Sequence, residues 1–461
     1  MKTKLLSALL AIVMLTTLTA CGGSSKGQGG ESSGSTPFDS QPAPTDEILE
    51  PFGTTATLDE TVMVDEGGVT ITATGLTYTA YSADLELTIE NNSGKNLSFV
   101  SGSLGYSCNS VNGYMVQDGY LNCDVANGKK ANESISFGYD ALMLYGIHEI
   151  ADLEIGISMT DDDYNTTYTG PRQLKTSAFD VHDYGTDHYQ ETITSEAAMN
   201  TYGYEMKHFS KEPLYDQNGV KLRSSGIMTN QDGGTALLLE LENTTDSMVY
   251  LSTSDIALNG LLLNSSTWSS DAINPGKRGI VTVELSAVLD PAYWGVYGIT
   301  DVASVSLSLG QRSEKGMEIA GKTPVEIVLT DESTALDMSG TEVYNSNGLR
   351  IITKAVMEDA SDYGADLYVL LLAENHSGKT LTIADVYDSL SVNGVMTDYS
   401  YYSQELGDGA SAALIVKLWE SSLEENQITS PADIQEIEVS FEIKDGCTAI
   451  DEPTLTLTFE K

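Results

Sequence analysis

Basic residues are scarce in this chain, and their scarcity excludes several classes of partner. The 461 residues include 23 lysines and arginines against 67 aspartates and glutamates, so the formal net charge at pH 7 is −44. Nucleic acid and anionic lipid surfaces both attract proteins through clustered Lys and Arg side chains. We therefore expect no nucleic-acid partner. The excess of acidic residues favours solubility at a crowded surface.

Recognisable catalytic motifs are missing as well. No Gly-x-Ser-x-Gly nucleophile elbow follows a predicted strand, and there is no His-Glu-x-x-His or Gly-x-x-x-x-Gly-Lys-Ser/Thr sequence. The carboxylates are too numerous for one pair to stand out as the acid and base of a glycosidase. The sequence thus predicts a non-enzymatic protein without a cofactor. An enzyme with an unrecognised site is the least favoured alternative.

One long apolar run is present, and it lies at the N-terminus. Lys2 and Lys4 precede the apolar stretch 5–18, which is followed by Leu-Thr-Ala-Cys ending at Cys21. A basic start, an apolar centre and small residues before a cleavage point are typical of a secretory signal, here residues 1–20. The last four residues resemble the lipobox of bacterial lipoproteins. This resemblance implies that Cys21 is lipidated on its sulfur and holds the protein on the extracytoplasmic side of the cell membrane. The alternative is an ordinary signal peptide with an incidental cysteine.

The next segment has little that can pack. Of the 24 residues 22–45, 15 are Gly, Ser or Pro, and Phe38 is the one large apolar residue. Such a composition buries too little surface to offset the entropy lost on ordering. We therefore predict a flexible tether that begins at Cys21 and continues to residue 57.

From residue 58 the sequence repeats three times, and each repeat carries the same markers in the same order. A strand ends in Glu-Asn, an Asn-Gly turn follows an apolar residue, and a Gly turn comes 16 or 17 residues later. The predicted repeats are 58–180, 212–331 and 342–461, separated by an insertion at 181–211 and a linker at 332–341. The markers are Asn91, Asn112 and Gly128, then Asn243, Asn259 and Gly276, then Asn375, Asn393 and Gly409.

The pattern inside each repeat is typical of an all-β fold. Short runs with partial alternation are separated by Gly, Asn, Asp and Ser, and Asn-Gly between apolar runs is a strong hairpin signal. Each repeat also has one short helical or turn-rich connection, at 139–150, 285–299 and 420–428. We predict three tandem immunoglobulin-like antiparallel β-sandwiches, each with a short crossover helix.

The first repeat carries a further resemblance. Its Glu90-Asn-Asn-Ser-Gly-Lys turn, its Val-Asn-Gly-Tyr-Met sequence and its stretch 146–154 resemble the immunoglobulin-like repeats of surface lipoproteins from low-GC Gram-positive bacteria. The resemblance covers 58–461 apart from the insertion. The second repeat departs from it, because no Gly-Lys follows Asn243. The resemblance implies a fold and a location more than an activity.

Two clusters contain residue types that bind metals. In the insertion, two imidazoles and two carboxylates fall within seven residues, and such groups can ligate zinc: His182, Asp183, Asp187 and His188. Their spacing matches no standard motif, so we expect no metal and a solvated linker with one short helix near 195–200. The acidic stretch 161–165 contains oxygen ligands suited to calcium but lacks the order of a calcium loop. A polar hairpin loop is the favoured interpretation.

The cysteines and the aromatic clusters leave alternatives open. An exported protein can form a disulfide, and Cys108 and Cys123 in the first repeat are the candidates. Cys447 has no evident partner, and we expect a buried free thiol. Two aromatic groups are interpreted either as sugar-stacking platforms or as core residues: Tyr399, Tyr401, Tyr402 and Trp419, and Trp268, Tyr293, Trp294 and Tyr297.

These features favour a surface interaction or ligand-binding protein whose partner is an envelope protein or a glycan. The lipid on Cys21 would attach the protein to the membrane. The alternative is a structural spacer or an accessory subunit of an envelope complex. The two hypotheses differ in surface character. A contiguous apolar or aromatic patch favours binding, whereas uniformly polar surfaces favour a spacer.

Overall fold

The protein is built mainly from β-sheet. A computed structural model describes residues 48–102, 109–231, 233–263, 270–330, 335–359 and 366–459. Strands account for 54% of the residues and helices for 10%. The strands form several sandwich-like sheets. The prediction of an all-β fold is confirmed.

The chain divides into two compact units. The first contains the described residues up to Phe209 together with residues 226–232 and 277–279. The second contains residues 210–225, 233–276 and 280–461. Residues from the second and third sequence repeats therefore share one unit.

The described strands of the first repeat are followed by one helix and a closing hairpin. They are β1 (Thr61–Glu66), β2 (Val69–Tyr78), β3 (Ser82–Asn91), β4 (Leu97–Ser101), β5 (Asn109–Val111), β6 (Tyr114–Val116), β7 (Leu121–Val125), β8 (Lys129–Gly138), α1 (Tyr139–Leu144), β9 (Asp152–Asp161) and β10 (Thr166–Lys175). The insertion contains α2 (His188–Ile193), α3 (Glu196–Tyr202) and β11 (Tyr204–Ser210).

The second and third repeats follow the same order. In the second repeat the described elements are β12 (Asp216–Gln217), β13 (Val220–Asn230), β14 (Thr235–Asn243), β15 (Val249–Leu258), β16 (Leu261–Leu262), β17 (Ser270–Ile273), β18 (Arg278–Glu284), α4 (Leu285–Val288), α5 (Pro291–Trp294), the 3-10 helix η1 (Gly295–Tyr297), β19 (Ser304–Ser313) and β20 (Glu318–Val328). In the third they are β21 (Thr341–Ser346), β22 (Leu349–Glu358), β23 (Leu367–Asn375), β24 (Leu381–Asp385), β25 (Ser391–Val392), β26 (Val395–Met396), β27 (Tyr399–Tyr401), β28 (Gln404–Leu406), β29 (Ser411–Leu418), α6 (Glu420–Glu425), the 3-10 helix η2 (Pro431–Asp433), β30 (Ile437–Asp445), β31 (Thr448–Asp451) and β32 (Thr454–Leu457).

The first unit contains a four-stranded antiparallel sheet in the order β1-β2-β3-β8. Side chains of β3 alternate strictly between the core and the outer face, and its core residues Leu85, Leu87 and Ile89 are almost fully buried. This period of two is what places one face of a strand in the core. A second sheet contains the run β6-β5-β9-β4-β7, with β10 paired to β9.

Within the second unit, strands of two repeats join one sheet. Its order is β20-β19-β15-β16-β29-β23-β22-β21, with β17 on β15 and β27 on β29. The junction is a short parallel pairing in which Leu261 of β16 lies opposite Ser411 of β29. A further sheet, β26-β25-β30-β24-β28, carries β31 and β32 on β30 and covers the core around Phe441.

The three predicted Glu-Asn markers are buried structural residues with one shared hydrogen-bond pattern. Asn91 Nδ2 donates to the carbonyl oxygens of Lys95 and Val125 at 2.8 and 2.7 Å, and its Oδ1 accepts from the Ser93 amide at 3.0 Å. Asn243 and Asn375 form the equivalent bonds. Each asparagine thereby ties a strand end to the turn that follows it and to the end of a second strand, which explains its position in every repeat.

The Asn-Gly markers form a second shared pattern. Asn112 adopts a left-handed backbone, φ +47°, which asparagine tolerates better than most residues. Its Nδ2 donates to the Glu149 carbonyl and its Oδ1 accepts from the Ala151 amide, both at 2.8 Å. Asn259 and Asn393 repeat this geometry. The turn is therefore fixed to the strand that follows the crossover helix.

The structure shortens the predicted tether. Residues 48–57 lie against the first repeat: the Phe52 ring stacks on Tyr139 with centroids 4.4 Å apart, and the Gly53 amide donates to the His148 carbonyl at 2.7 Å. Phe52 and Ala56 are buried. The predicted tether 21–57 therefore extends too far at its C-terminal end. The polar residues around Phe52 and Ala56 gave no sign that these two side chains are buried.

The insertion is folded, contrary to the prediction of a solvated linker. The predicted helix near 195–200 is present as α3, which Ser195 caps by accepting from the Ala198 amide at 3.1 Å. Helix α2 precedes it, and Tyr189 of α2 contacts the rings of Tyr114 and Tyr145 at 6.4 and 6.3 Å. These aromatic contacts supply the burial that the segment's polar composition did not reveal.

Candidate functional site

The four residues singled out as metal candidates are only partly brought together. His182 and His188 lie with ring centroids 5.4 Å apart, and His188 Nε2 lies 2.9 Å from the Asp183 carbonyl oxygen. The Asp183 carboxylate accepts instead from Gly185 and Thr186. Asp187 caps α2 through the Gln190 amide and accepts from Arg278 Nη1 at 2.7 Å, within the first unit. In the described part of the chain, no group of three or more His, Cys, Asp or Glu is arranged to hold a metal ion.

A third histidine completes an imidazole cluster that the sequence analysis missed. Burial lowers the pKa of His148, and the charge of His188 lowers it further. Burial and His188 likewise lower the pKa of His182, opposed by the nearby carboxylates of Asp152, Asp183 and Glu149. His148 Nδ1 is buried without a hydrogen-bond partner. The cluster lies where the insertion, the segment after α1 and residues 48–57 meet, so a charge placed there acts on that packing.

The acidic stretch 161–165 forms the polar loop of the hairpin between β9 and β10, as favoured in the sequence analysis. Asp161 forms an ion pair with Lys95, and this contact and the Asn165 side chain lower the pKa of its carboxyl. The loop borders a shallow polar cavity of about 250 Å³. The cavity is lined by Gly94, Lys95, Asn96, Asn127, Asp162 and Asp163. These polar groups largely satisfy one another, so the cavity holds no evident reactive centre.

Two of the cysteines, Cys123 and Cys447, lie in the described part of the chain. Cys447 is exposed in the turn between β30 and β31, so the expectation of a buried thiol is wrong. Cys447 lies in a two-residue turn in which both residues are exposed, so its side chain does not reach the core. Cys123 is half-buried on β7, and burial followed by the charges of Glu133 and Asp124 raises the pKa of its thiol to about 11. Cys108 lies outside the described residues, so its pairing with Cys123 stays a prediction.

Most of the aromatic candidates are packing residues. Tyr293, Trp294 and Tyr297 are buried in the second unit, where Tyr297 donates to the Leu371 carbonyl at 3.2 Å. Tyr399 and Tyr401 donate to backbone carbonyls at 2.9 and 3.2 Å. Trp268 lies outside the described residues. Among the platform residues that the structure describes, only Tyr402 and Trp419 are exposed, at 58% and 49%.

Trp419 and two other exposed apolar residues lie on neighbouring segments of the third repeat. Val395 and Met396 of β26 are 47% and 58% exposed. The Trp419 amide donates to the Asp398 carbonyl at 3.1 Å, and Asn426, just after α6, donates to the Met396 carbonyl at 3.4 Å. These bonds hold the two segments side by side. We call the surface formed by Val395, Met396 and Trp419 the β26 edge.

The β26 edge is the strongest candidate site, and sequence reasoning named only its tryptophan. The apolar pair after the Asn-Gly turn occurs in every repeat, but the equivalent residues elsewhere are buried or, at Leu262, half-buried. Tyr114 and Met115 in the first repeat are 5% and 9% exposed, and Leu261 in the second is fully buried. A shared pattern cannot reveal which copy is left open. The contrast in exposure is a property of the tertiary structure.

Comparison with known proteins adds no identification. No protein-family model matches the sequence, and no curated protein matches it. Among the described residues, no helix has the length and apolar character that a membrane span requires.

Several solved structures are similar to this chain at low identity. One comes from work on how a 1.5-MDa bacterial ice-binding adhesin is retained at the host cell surface, with 11% identity over 82% of this chain and 90% of that chain at a TM-score of 0.15. A protein of unknown function from Porphyromonas gingivalis W83 shows 14% identity over 49% and 91%, also at 0.15. An exo-chitosanase from Amycolatopsis orientalis shows 7% identity over 88% and 79%, at 0.16. At TM-scores this low, the similarities carry no argument about function.

Proposed function

We propose that this is a lipid-anchored surface protein of three immunoglobulin-like β-sandwiches that binds a macromolecular partner, a protein or a glycan, and catalyses no reaction. The observation that carries the proposal is the β26 edge. Folded proteins rarely leave a cluster of large apolar side chains in water without a partner that covers it. Trp and Met are also among the residue types enriched in the buried centres of interfaces.

The location rests on the sequence. The signal at 1–20 and the lipobox at Cys21 support attachment to the outer side of the cell membrane, with residues 22–47 between the lipid and the folded part. Substitution Cys21→Ala removes the acceptor of the lipid. We expect the variant chain to leave the membrane fraction, whereas Cys447→Ala, at an exposed cysteine, leaves the distribution unchanged.

Capture from native envelopes tests the binding role. Full-length tagged protein is recovered after cross-linking in the cells that make it, alongside the double variant Met396→Ala, Trp419→Ala. The matched control, Met317→Ala with Tyr81→Ala, removes an exposed methionine and an exposed aromatic residue elsewhere. We expect one macromolecule to be recovered with wild type and control and at least about tenfold less with the double variant, because interface tryptophans commonly contribute more than about 1.4 kcal/mol.

Two results would contradict the proposal. One is equal recovery of the same macromolecule by all three proteins, and the other is recovery of none by the wild type. Thermal unfolding of the purified variants serves as the folding control, since loss of binding counts only if the unfolding temperature is unchanged.

A structural spacer is the second candidate, and one observation favours it. Within the second unit, β16 and β29 join strands of two repeats into one sheet, and Tyr293 Oη donates to the Glu358 carbonyl at 2.8 Å across the same boundary. A continuous sheet and buried aromatic contacts make this pair of repeats stiff. A spacer predicts that the double variant described above has no effect on any partner.

A further inference from the structure

In the first two repeats, the short strand after the Asn-Gly turn pairs in parallel with the start of a later long strand, and we call this pairing the junction. In the second unit, Leu261 of β16 pairs in parallel with Ser411 of β29. Within the first unit, Tyr114 of β6 pairs in parallel with Arg278. In both pairs the first residue lies two positions after the Asn of its turn, and the second lies two positions after the Gly that opens a long strand. The junction therefore has one register.

The third repeat has the same element without the pairing. Strand β26 is the terminal strand of its sheet, bound to β25 alone in the described chain. Val395 occupies the position of Leu261 and Tyr114, yet it is 47% exposed, where those residues are 0% and 5% exposed. The third repeat thus has the short strand of a junction, but no described long strand pairs with it.

The first repeat carries the opposite half, also unpaired. Strand β8 is the terminal strand of the sheet β1-β2-β3-β8 in the described residues. Its first residues, Lys129 and Lys130, follow Gly128 just as Lys277 and Arg278 follow Gly276. Both lysines are exposed. Strand β8 therefore begins with two basic residues, like the segment 277–278.

Charge matches the two halves. Lys277 Nζ lies 2.6 Å from Glu154, whose strand neighbour is Ser110. Glu438 has Ser391 as its strand neighbour, and Ser110 and Ser391 each lie two residues before the Asn of the turn. Glu438 is thus the counterpart of Glu154, and it is exposed. Residues 381–443 contain twelve Asp and Glu but one basic residue, Lys417, which pairs with Asp366.

We propose that β26 of one copy of this chain binds the start of β8 of a second copy in parallel, with Val395 opposite Lys130 and Lys129 near Glu438. The proposal rests on the proposed surface-binding role and names a second copy as the partner. The two contacting surfaces differ, so each bound pair of copies leaves one β26 edge and one β8 start open. Such heterologous contacts extend head to tail rather than closing as a symmetric dimer.

The contact is weaker than the internal junction. The outer face of β23 buries Leu370 and Leu372, with Tyr293 of the second repeat against the neighbouring Tyr368 ring at 5.6 Å. The equivalent positions on β3 are Glu86 and Thr88. A second copy thus meets a polar face and buries little apolar area there. Anchoring many copies on one membrane raises their effective concentration, which favours a contact too weak to persist in dilute solution.

Disulfide trapping in the native membrane tests the register. Two full-length versions with different tags are co-expressed, both with Cys447→Ser to remove the exposed thiol. One carries Val395→Cys and the other Lys130→Cys. Opposed residues on paired strands lie about 5 Å apart, which a disulfide can bridge. The matched control replaces Lys130→Cys with Ser134→Cys, an exposed residue on the same face about 13 Å further along β8.

We expect a disulfide-linked species carrying both tags, at least about tenfold more abundant with Lys130→Cys than with Ser134→Cys. Adding Glu438→Lys should reduce it severalfold, because the acidic counterpart of Lys129 is lost. Equal yields from the two partners, or no linked species, would overturn the proposal. If no species forms while envelope capture still depends on Trp419, the partner is another macromolecule and the proposed function stands.

Discussion

At the scale of the residue, one buried asparagine stabilises the turns within each repeat. Asn91, Asn243 and Asn375 are each fully buried, and each satisfies two carbonyl groups and one amide that would otherwise lack partners. A buried polar group without a hydrogen bond is strongly destabilising. The same residue in the same place three times is therefore explained by turn geometry, without any role in binding.

Asn91→Ala tests this explanation. The change removes about three net hydrogen bonds and leaves the Lys95 and Val125 carbonyls unsatisfied, so we expect the free energy of unfolding to fall by about 3 kcal/mol. Urea unfolding followed by fluorescence measures it. Asn122→Ala, an exposed asparagine of the same repeat, should change stability by less than about 0.5 kcal/mol. A similar loss for both variants would show that burial of Asn91 is irrelevant.

At the scale of the element, one glycine sets how closely the insertion packs. Gly146 has φ +73°, and a Cβ built there would overlap the His188 carbonyl oxygen at the start of α2. Gly113 has φ +89° and no atom near its Cβ position. The two glycines thus carry similar backbone strain on substitution but differ in steric contact.

Gly146→Ala should therefore destabilise the first unit more than Gly113→Ala does. We expect Gly113→Ala to cost about 1 kcal/mol from the left-handed backbone alone. Gly146→Ala should add at least about 1 kcal/mol and accelerate amide exchange in α2. Hydrogen exchange with mass spectrometry reads both effects. Equal exchange in α2 for the two variants would refute the close packing.

The imidazole cluster predicts a dependence on pH. Burial lowers the pKa of His148 and His182 in the folded protein below the ordinary value of 6.5, so the unfolded state binds their protons more readily. The stability they contribute is therefore complete above pH 6.5 and decreases as the pH falls through and below that value. Glu149, Asp152 and Asp183 partly oppose the effect for His182.

We expect protease cleavage within residues 181–211 to be faster at pH 5.5 than at pH 7.5, measured with a protease active at both values. The triple variant His148→Gln, His182→Gln, His208→Gln should lose most of this difference, because burial lowers the pKa of each of these imidazoles and none then remains to be charged. A difference that persists unchanged in the variant would contradict the assignment.

Local patterns explain which elements were predictable. The Asn-Gly turns and the alternation in β3 follow from backbone conformation and a period of two, which sequence displays directly. Helix α3 lies where the sequence analysis predicted a short helix, near 195–200. Helix α2 was not predicted, because its burial depends on Tyr114 and Tyr145, which are distant in sequence. The exposure of β26 was equally invisible, since the same apolar pair is buried or half-buried in the other repeats.

At the scale of the whole molecule, we expect the third repeat to be less stable alone than together with the second repeat. Leu370 and Leu372 are buried on the face of β23 opposite the core of their own repeat. A fragment 342–461 exposes them, at roughly 2 kcal/mol each. We expect its unfolding temperature to lie at least about 10 °C below that of 212–461.

A matched variant separates this effect from simple truncation. Leu370→Glu with Leu372→Thr gives β23 the outer face that β3 has at Glu86 and Thr88. In the fragment the pair should improve solubility with little loss of stability, whereas in 212–461 it should lower the unfolding temperature. The opposite ordering, measured by calorimetry, would mean that the two repeats are energetically separate.

We propose that the β26 edge is a binding surface and that the protein is anchored to the membrane. Amide hydrogen exchange at Val395 and Met396 tests this proposal most directly, comparing protein in native membranes with protein extracted in detergent and diluted. We predict slower exchange in the membrane at β26, and no change at the equally terminal strand β21. Identical exchange of β26 in both states would contradict the account, because an edge that binds a partner through its backbone must protect these amides.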